Sequence, residues 1–359
     1  MAHDIHTETP CCAGRNHWID LLRFIFILVI VFFHQNERCC ELFCRGNFAV
    51  YFFFLLSGYL AAKSIKRQSA TNPSYLSGCA SFMKRKMLAV HPEVVLSTLT
   101  FLVVLLLTNT PSLHASFSLP IKAFFSDIMF LRMTGIECSV GVGYGWYISS
   151  MLIGLLILYP VIRKWGGNVF LFMGALLIFG YIKISTGSLM PHMTSALGGT
   201  YAGNYMALAG LMLGASLTAV KFKNPPSGRN VAVIALLTLA VSLCCLNTPI
   251  SVSDKPHTMD TLCLFGMCVL LLCAVNSQAA QKAECSLGRK WESLCVFLGK
   301  LSLPLYLIHL SCHTACRAIF PALQGPVYIL LYIGLSLAAA YGVMLASSWL
   351  RKKIARFYE

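Results

Sequence analysis

Charge is scarce in this chain. Asp, Glu, Lys and Arg supply 11% of its 359 residues, where a soluble domain carries nearer a quarter. With 57% hydrophobic residues and a mean hydropathy of +0.71, that shortage leaves little room for a soluble domain. Other absences narrow the reading further. No domain boundary, low-complexity linker or clear internal repeat divides the chain. The first apolar run, WIDLLRFIFILVIVFFH, is long, carries Arg23 and is followed by no small-residue cleavage site, so it reads as a span and not as a removable leader. No pair of C-x-x-C motifs has zinc-ribbon spacing, and no metal site is read. The sixteen cysteines do not make a disulfide framework either. Cys244, Cys245, Cys263, Cys268 and Cys273 fall in apolar segments, where cysteine behaves as a small hydrophobe.

What is present is a succession of apolar segments. At about 20 residues per span, ten helices are expected, near 18–34, 48–64, 93–109, 145–162, 168–185, 201–220, 230–248, 259–276, 294–315 and 326–349. The fold class is therefore all-α, a polytopic transmembrane bundle. A membrane domain over 18–350 is flanked by short tails at 1–17 and 351–359. Thirteen acidic residues against 28 basic ones give a net charge of +15. Such an excess can signal nucleic acid, but its placement argues for topology. With the N-terminus inside, 19 Lys and Arg fall on inner segments, six on outer ones and three within helices. The positive-inside rule then places both termini in the cytoplasm, in a multi-pass protein of the cell (cytoplasmic) membrane with lipid and not nucleic acid around it. In that topology Cys11 and Cys12 are inside and reduced, and Cys39, Cys40, Cys44 and Cys138 are outside, where one bridge forms if that space is oxidising. The longest inner loop is expected at 65–92. The longest outer segment, 110–144, holds LPIKAFFSDIMFL, a short interfacial or re-entrant helix. Pro304 is expected to interrupt the ninth helix and aim His309 at a cavity.

Arg23 and His34 stand out because they lie eleven residues apart in the first apolar run, just over three turns, on one face and roughly 16 Å apart along the axis. An Arg in the middle of a lipid-embedded helix costs about 3 kcal/mol on insertion scales, so such residues face protein or a watery cavity. Imidazole titrates near neutrality and suits a general base; the plainer reading of His34 is an interfacial histidine. Arg23 either holds an anionic group, stabilises charge on a reacting oxygen, or snorkels. Asp20, one turn earlier, pairs with it structurally or functionally. Lys84, Arg85 and Lys86 form a compact cationic patch suited to phosphates, or equally to anionic lipid. Ser57–Gly58 offers a small surface for helix packing. Trp146 and Tyr147 fit an outer aromatic belt or a stacking platform for a sugar. Tyr306 and His309 are candidates for lining an acceptor path. His17, His91, His114, His192, His257 and His313 are assigned no role.

Several of these segments carry a resemblance. Arg23-x10-His34 with Asp20, Phe53-Phe54-x-x-Ser57-Gly58, FMKRKMLAVHP at 82–92, GYGWYISSMLIGLLILYP at 143–160 and GKLSLPLYLIHL at 299–310 occur in the order seen in the acyltransferase-3 family of membrane acyltransferases. The chain resembles that family across nearly its whole length. It departs in the basic loop, where the family reads Arg-Arg-x-x-Arg and this chain has Arg85, Lys86 and then Ala89, and in lacking an acidic residue after Trp146.

The resemblance implies an enzyme that moves an acyl group, acetyl above all, from acetyl-CoA on the cytoplasmic side to a hydroxyl of a cell-surface or lipid-linked glycan. It makes His34 the base, Arg23 and Asp20 its companions, and Lys84, Arg85 and Lys86 the holders of donor phosphates. Trp146, Tyr147, Tyr306 and His309 would meet the acceptor. The rival is a secondary transporter or glycan flippase using Arg23 and His34 as a substrate or proton site. Against it, the Pro304 segment has no matching broken helix in the first half, where transporters commonly show two similar halves.

Overall fold

A computed structural model describes residues 15–35, 42–71, 74–108, 118–136, 145–166, 168–220, 228–248, 257–276 and 278–357. The positions of Cys11, Cys12, Cys39, Cys40 and Cys138 lie outside the described residues.

Eleven α-helices account for nearly all regular structure among these residues. They are α1 (His17–Phe33), α2 (Val50–Thr71), α3 (Tyr75–Leu107), α4 (Ser118–Ile128), α5 (Gly145–Trp165) and α6 (Val169–Thr186), then α7 (Ala202–Ser216), α8 (Gly228–Asn247), α9 (His257–Asn276), α10 (Gln278–Ile319) and α11 (Gly325–Phe357). A two-residue hairpin, β1 (Ala196–Leu197) with β2 (Thr200–Tyr201), precedes α7. The architecture is an all-α polytopic bundle. Each of the ten expected spans has its helix, and α4 is the short helix expected between the third and fourth. Eight of the helices are long and apolar enough to cross a membrane. The other two, α1 at 17 residues and α7 at 15, sit inside the bundle, where protein and not lipid meets most of their surface.

α7 is the centre of the packing. It lies against α2, α5 and α6 and is buried along most of its length. Small residues allow this. A Cβ on Gly58 of α2 would stand 2.0 Å from the Leu211 carbonyl oxygen, and one on Gly214 of α7 would stand 1.9 Å from that of Leu55. The two backbones thus approach through Gly58 and the Gly210-x-x-x-Gly214 pair, the close contact that small residues permit between membrane helices. The packing role read for Gly58 holds.

Three sequence expectations change. Residues 65–92 are not a loop, because α2 runs to Thr71 and α3 begins at Tyr75. Hydropathy marks where a helix leaves the apolar layer, and polar residues such as Lys84 and Arg85 continue a helix without difficulty. Pro304 does not interrupt α10, whose non-helical dihedrals fall at Gly288 (φ 77°). Glycine reaches that region without a Cβ penalty. The residues at 351–357 continue α11 as helix, so the basic tail begins as part of the last helix.

Buried ion pairs tie together segments that join the helices. Arg45 binds Asp260 at 2.9 Å with both side chains buried, joining the turn before α2 to the start of α9. Arg132 makes two hydrogen bonds to Asp127, at 2.6 and 2.9 Å, and closes the segment after α4.

Candidate functional site

His34 is the C-cap of α1, and its Nδ1 lies 2.8 Å from the Ile30 carbonyl. A carbonyl only accepts, so Nδ1 carries the proton and Nε2 keeps its lone pair. His309, on α10, repeats the arrangement. Its Nδ1 donates to the carbonyls of Tyr306 (2.7 Å) and Leu305 (3.2 Å), and its buried Nε2 has no hydrogen-bond partner among the described residues. The two rings meet edge to face with centroids 4.9 Å apart. Two imidazoles are thereby held in the tautomer that offers a proton acceptor at Nε2.

Both histidines line a cavity of about 340 Å³ whose walls include Asn47, Trp146, His192 and Tyr306. A second cavity, of about 390 Å³, is lined by Arg23, Ser57, Lys86, Ala89, Tyr147 and Ser302, and again by Tyr306. Tyr306 belongs to both. Its ring lies 5.5 Å from Tyr147 on one side and 6.0 Å from His309 on the other, so a buried aromatic layer separates the two spaces.

Arg23 and His34 do share a face of α1, but the tertiary structure assigns them to different cavities. The offset of roughly 16 Å along the axis puts the aromatic layer between them. Asp20 is buried beside Gly299 and is held chiefly by Arg15, whose Nη2 donates at 3.0 Å, with Arg23 farther off at 3.7 Å. The hydrogen bond to Asp20 raises the pKa of Arg15 above its already basic range. Arg23 is therefore only loosely engaged by Asp20, and its guanidinium reaches the second cavity.

The basic cluster is divided in the same way. Lys86 lines the cavity with Arg23 and lies 5.6 Å from the Phe82 ring centroid. Arg85 is exposed and donates to Gln68 at 3.0 Å, and Lys84 is exposed. Trp146 and Tyr147 are not an interfacial belt. Both are buried at the start of α5, Trp146 facing the histidine cavity and Tyr147 the arginine cavity, where it hydrogen-bonds Ser57. Consecutive residues on a helix point about 100° apart, which lets one turn serve both spaces. Sequence reasoning missed Asn47 and His192 in the histidine cavity, and nothing in their local sequence marks them. Among the described residues no group of three or more His, Cys, Asp or Glu side chains is placed to hold a metal ion.

A family model described as an acyltransferase domain, acyltransferase-3, matches residues 16–345. No curated protein and no solved structure matches the chain significantly.

Proposed function

The chain belongs to this acyltransferase family and is a multi-pass membrane acyltransferase, and from that premise we propose that it moves an acyl group, acetyl above all, from acyl-coenzyme A to a hydroxyl of a cell-surface glycan or lipid-linked saccharide. The observation that carries this reading is the pair of cavities meeting at Tyr306, one cationic and one bearing two histidine bases.

The cationic cavity suits the donor. Arg23 and Lys86 offer charge-assisted hydrogen bonds to phosphate oxygens. The positive-inside reading supports a donor at that end, because it puts that end on the cytoplasmic side of the cytoplasmic membrane, where coenzyme A is found. The histidine cavity, facing the opposite side, suits a saccharide that stacks on Trp146 and places a hydroxyl at Nε2 of His34. Tyr306 swings aside when the donor binds, so that the pantetheine arm passes the aromatic layer and brings the thioester carbonyl to the histidines.

The step then balances. The acceptor oxygen attacks the carbonyl carbon and passes its proton to His34, and collapse of the adduct breaks the C–S bond. The proton leaves with the thiolate as free thiol, so His34 returns to its starting state. His309, 4.9 Å away, orients the hydroxyl or shares the proton. Arg23 stands too far along α1 to stabilise the oxyanion at His34, so its part is to hold the donor.

The transporter reading takes the two cavities as alternately open halves of one path. Family membership favours the enzyme. Purified protein in proteoliposomes, given acetyl-coenzyme A labelled in the acetyl group and candidate saccharides on the opposite face, decides between them. Labelled saccharide with stoichiometric free thiol supports acyl transfer; saccharide movement without acylation overturns it.

A further inference from the structure

Ala89 sits on the rim of the cationic cavity, exposed and part of its lining. It brings no charge of its own. A guanidinium nevertheless stands there, because Arg351 of α11 donates from Nη2 to the Ala89 carbonyl at 2.6 Å and to the carboxylate of Glu93, one turn farther along α3. Glu93 is buried and Arg351 is 42% exposed, so the carboxylate anchors the guanidinium from below and leaves part of its planar fork facing solvent at the rim. Lys86 lies one turn before Ala89 on the same helix and faces the same cavity. Arg23 and Lys86 thus line the cavity, and Arg351, from a third helix, stands next to its lining through the Ala89 carbonyl.

We propose that Arg351 is a donor-binding residue, which reads a phosphate of the coenzyme A moiety at the rim while Lys86 and Arg23 hold the part that enters. This rests on the donor reading of the cavity. A guanidinium offers five donors, and both contacts of Arg351 use the one nitrogen Nη2, so its other nitrogens remain for a phosphate. The last helix of the chain becomes part of the donor site, and the donor in turn draws α11 and α3 together.

Calorimetric titration of the full chain in nanodiscs tests this without knowledge of the acceptor. The probes are coenzyme A and pantetheine, which has the thiol arm and no phosphate. Arg351→Ala weakens coenzyme A by about tenfold, the worth of one hydrogen bond between charged groups, and leaves pantetheine unchanged. Glu93→Gln keeps the guanidinium but loosens its seat, and it loses less coenzyme A affinity than Arg351→Ala. Lys352→Ala, a neighbouring loss of one positive charge, has no effect. Unchanged coenzyme A affinity in Arg351→Ala overturns the proposal, as does an equal loss of pantetheine affinity in that variant, which would mark the contact as a pin between helices. A parent that binds no coenzyme A overturns the donor reading itself; binding that is lost in Lys86→Ala but kept in Arg351→Ala overturns this inference alone.

Discussion

His34 and His309 present their rings edge to face at 4.9 Å, and each has its Nδ1 proton tied to a backbone carbonyl on its own helix. Neither tautomer is left to chance. Backbone carbonyls on α1 and α10 do the work that a carboxylate often does for a catalytic imidazole, and they do it without introducing a charge into the bundle.

The first prediction concerns that pair. His34→Ala lowers acyl transfer by about 10²- to 10⁴-fold, the usual cost of losing a general base, while thermal stability and membrane abundance stay near those of the parent. Turnover measured on protein quantified in membranes checks it. Retention of more than about a tenth of parental turnover moves the role of base to His309.

Tyr306 lines both cavities. Tyr306→Ala is expected to join them and admit water to the thioester, so free thiol forms in excess of acylated acceptor. Tyr306→Phe keeps the ring and the parental ratio. Measuring thiol and product in one reaction gives that ratio, and a ratio of one in the Ala variant would show that the ring is not the barrier.

Donor affinity separates the basic cluster. Lys86→Ala raises the apparent KM for the acyl donor at least about tenfold, near 1.4 kcal/mol. Arg85→Ala, whose partner is Gln68 outside the cavity, leaves KM within about twofold, as surface contacts usually do. A reversed order would return the donor to the exposed face of α3.

The α2–α7 contact leaves no room for a methyl group. Gly58→Ala and Gly214→Ala each force a Cβ to within about 2 Å of a carbonyl oxygen, and each costs about 1–3 kcal/mol or more, as overpacking does. Fluorescence-monitored thermal unfolding in detergent reads the loss. Gly334→Ala, on α11 with no atom within 4 Å of the added group, is the neutral comparison.

Breaking the buried pair of Arg45 and Asp260 exposes its sign. Asp260→Ala leaves a buried guanidinium without its carboxylate and costs about 3–5 kcal/mol, whereas Arg45→Met combined with Asp260→Leu costs less than Asp260→Ala alone. The same unfolding assay orders the variants, and a double variant worse than the single one would refute the charge argument.

The sequence by itself determined the class of this protein and the order of its apolar spans. Apolar runs of about 20 residues have one low-energy form in lipid, because a helix satisfies its backbone internally, and so each expected span has its helix. It also singled out Arg23, His34, Tyr306 and His309, since polar groups in such runs need a protein or aqueous environment. Only the tertiary structure decided what those residues face. Helical periodicity gave Arg23 and His34 a shared face of α1, yet the ring of Tyr306, brought in by α10 nearly 300 residues later, divides that face into two cavities. The cluster at 84–86 reads as one patch along the chain and splits in space, because neighbouring residues on a helix point about 100° apart. The guanidinium over Ala89 comes from Arg351, 262 residues away, and no local pattern announces it. Propensity and hydropathy act along the chain over a turn or two, whereas cavities and charge pairs form across helices, where packing alone sets which side chains meet.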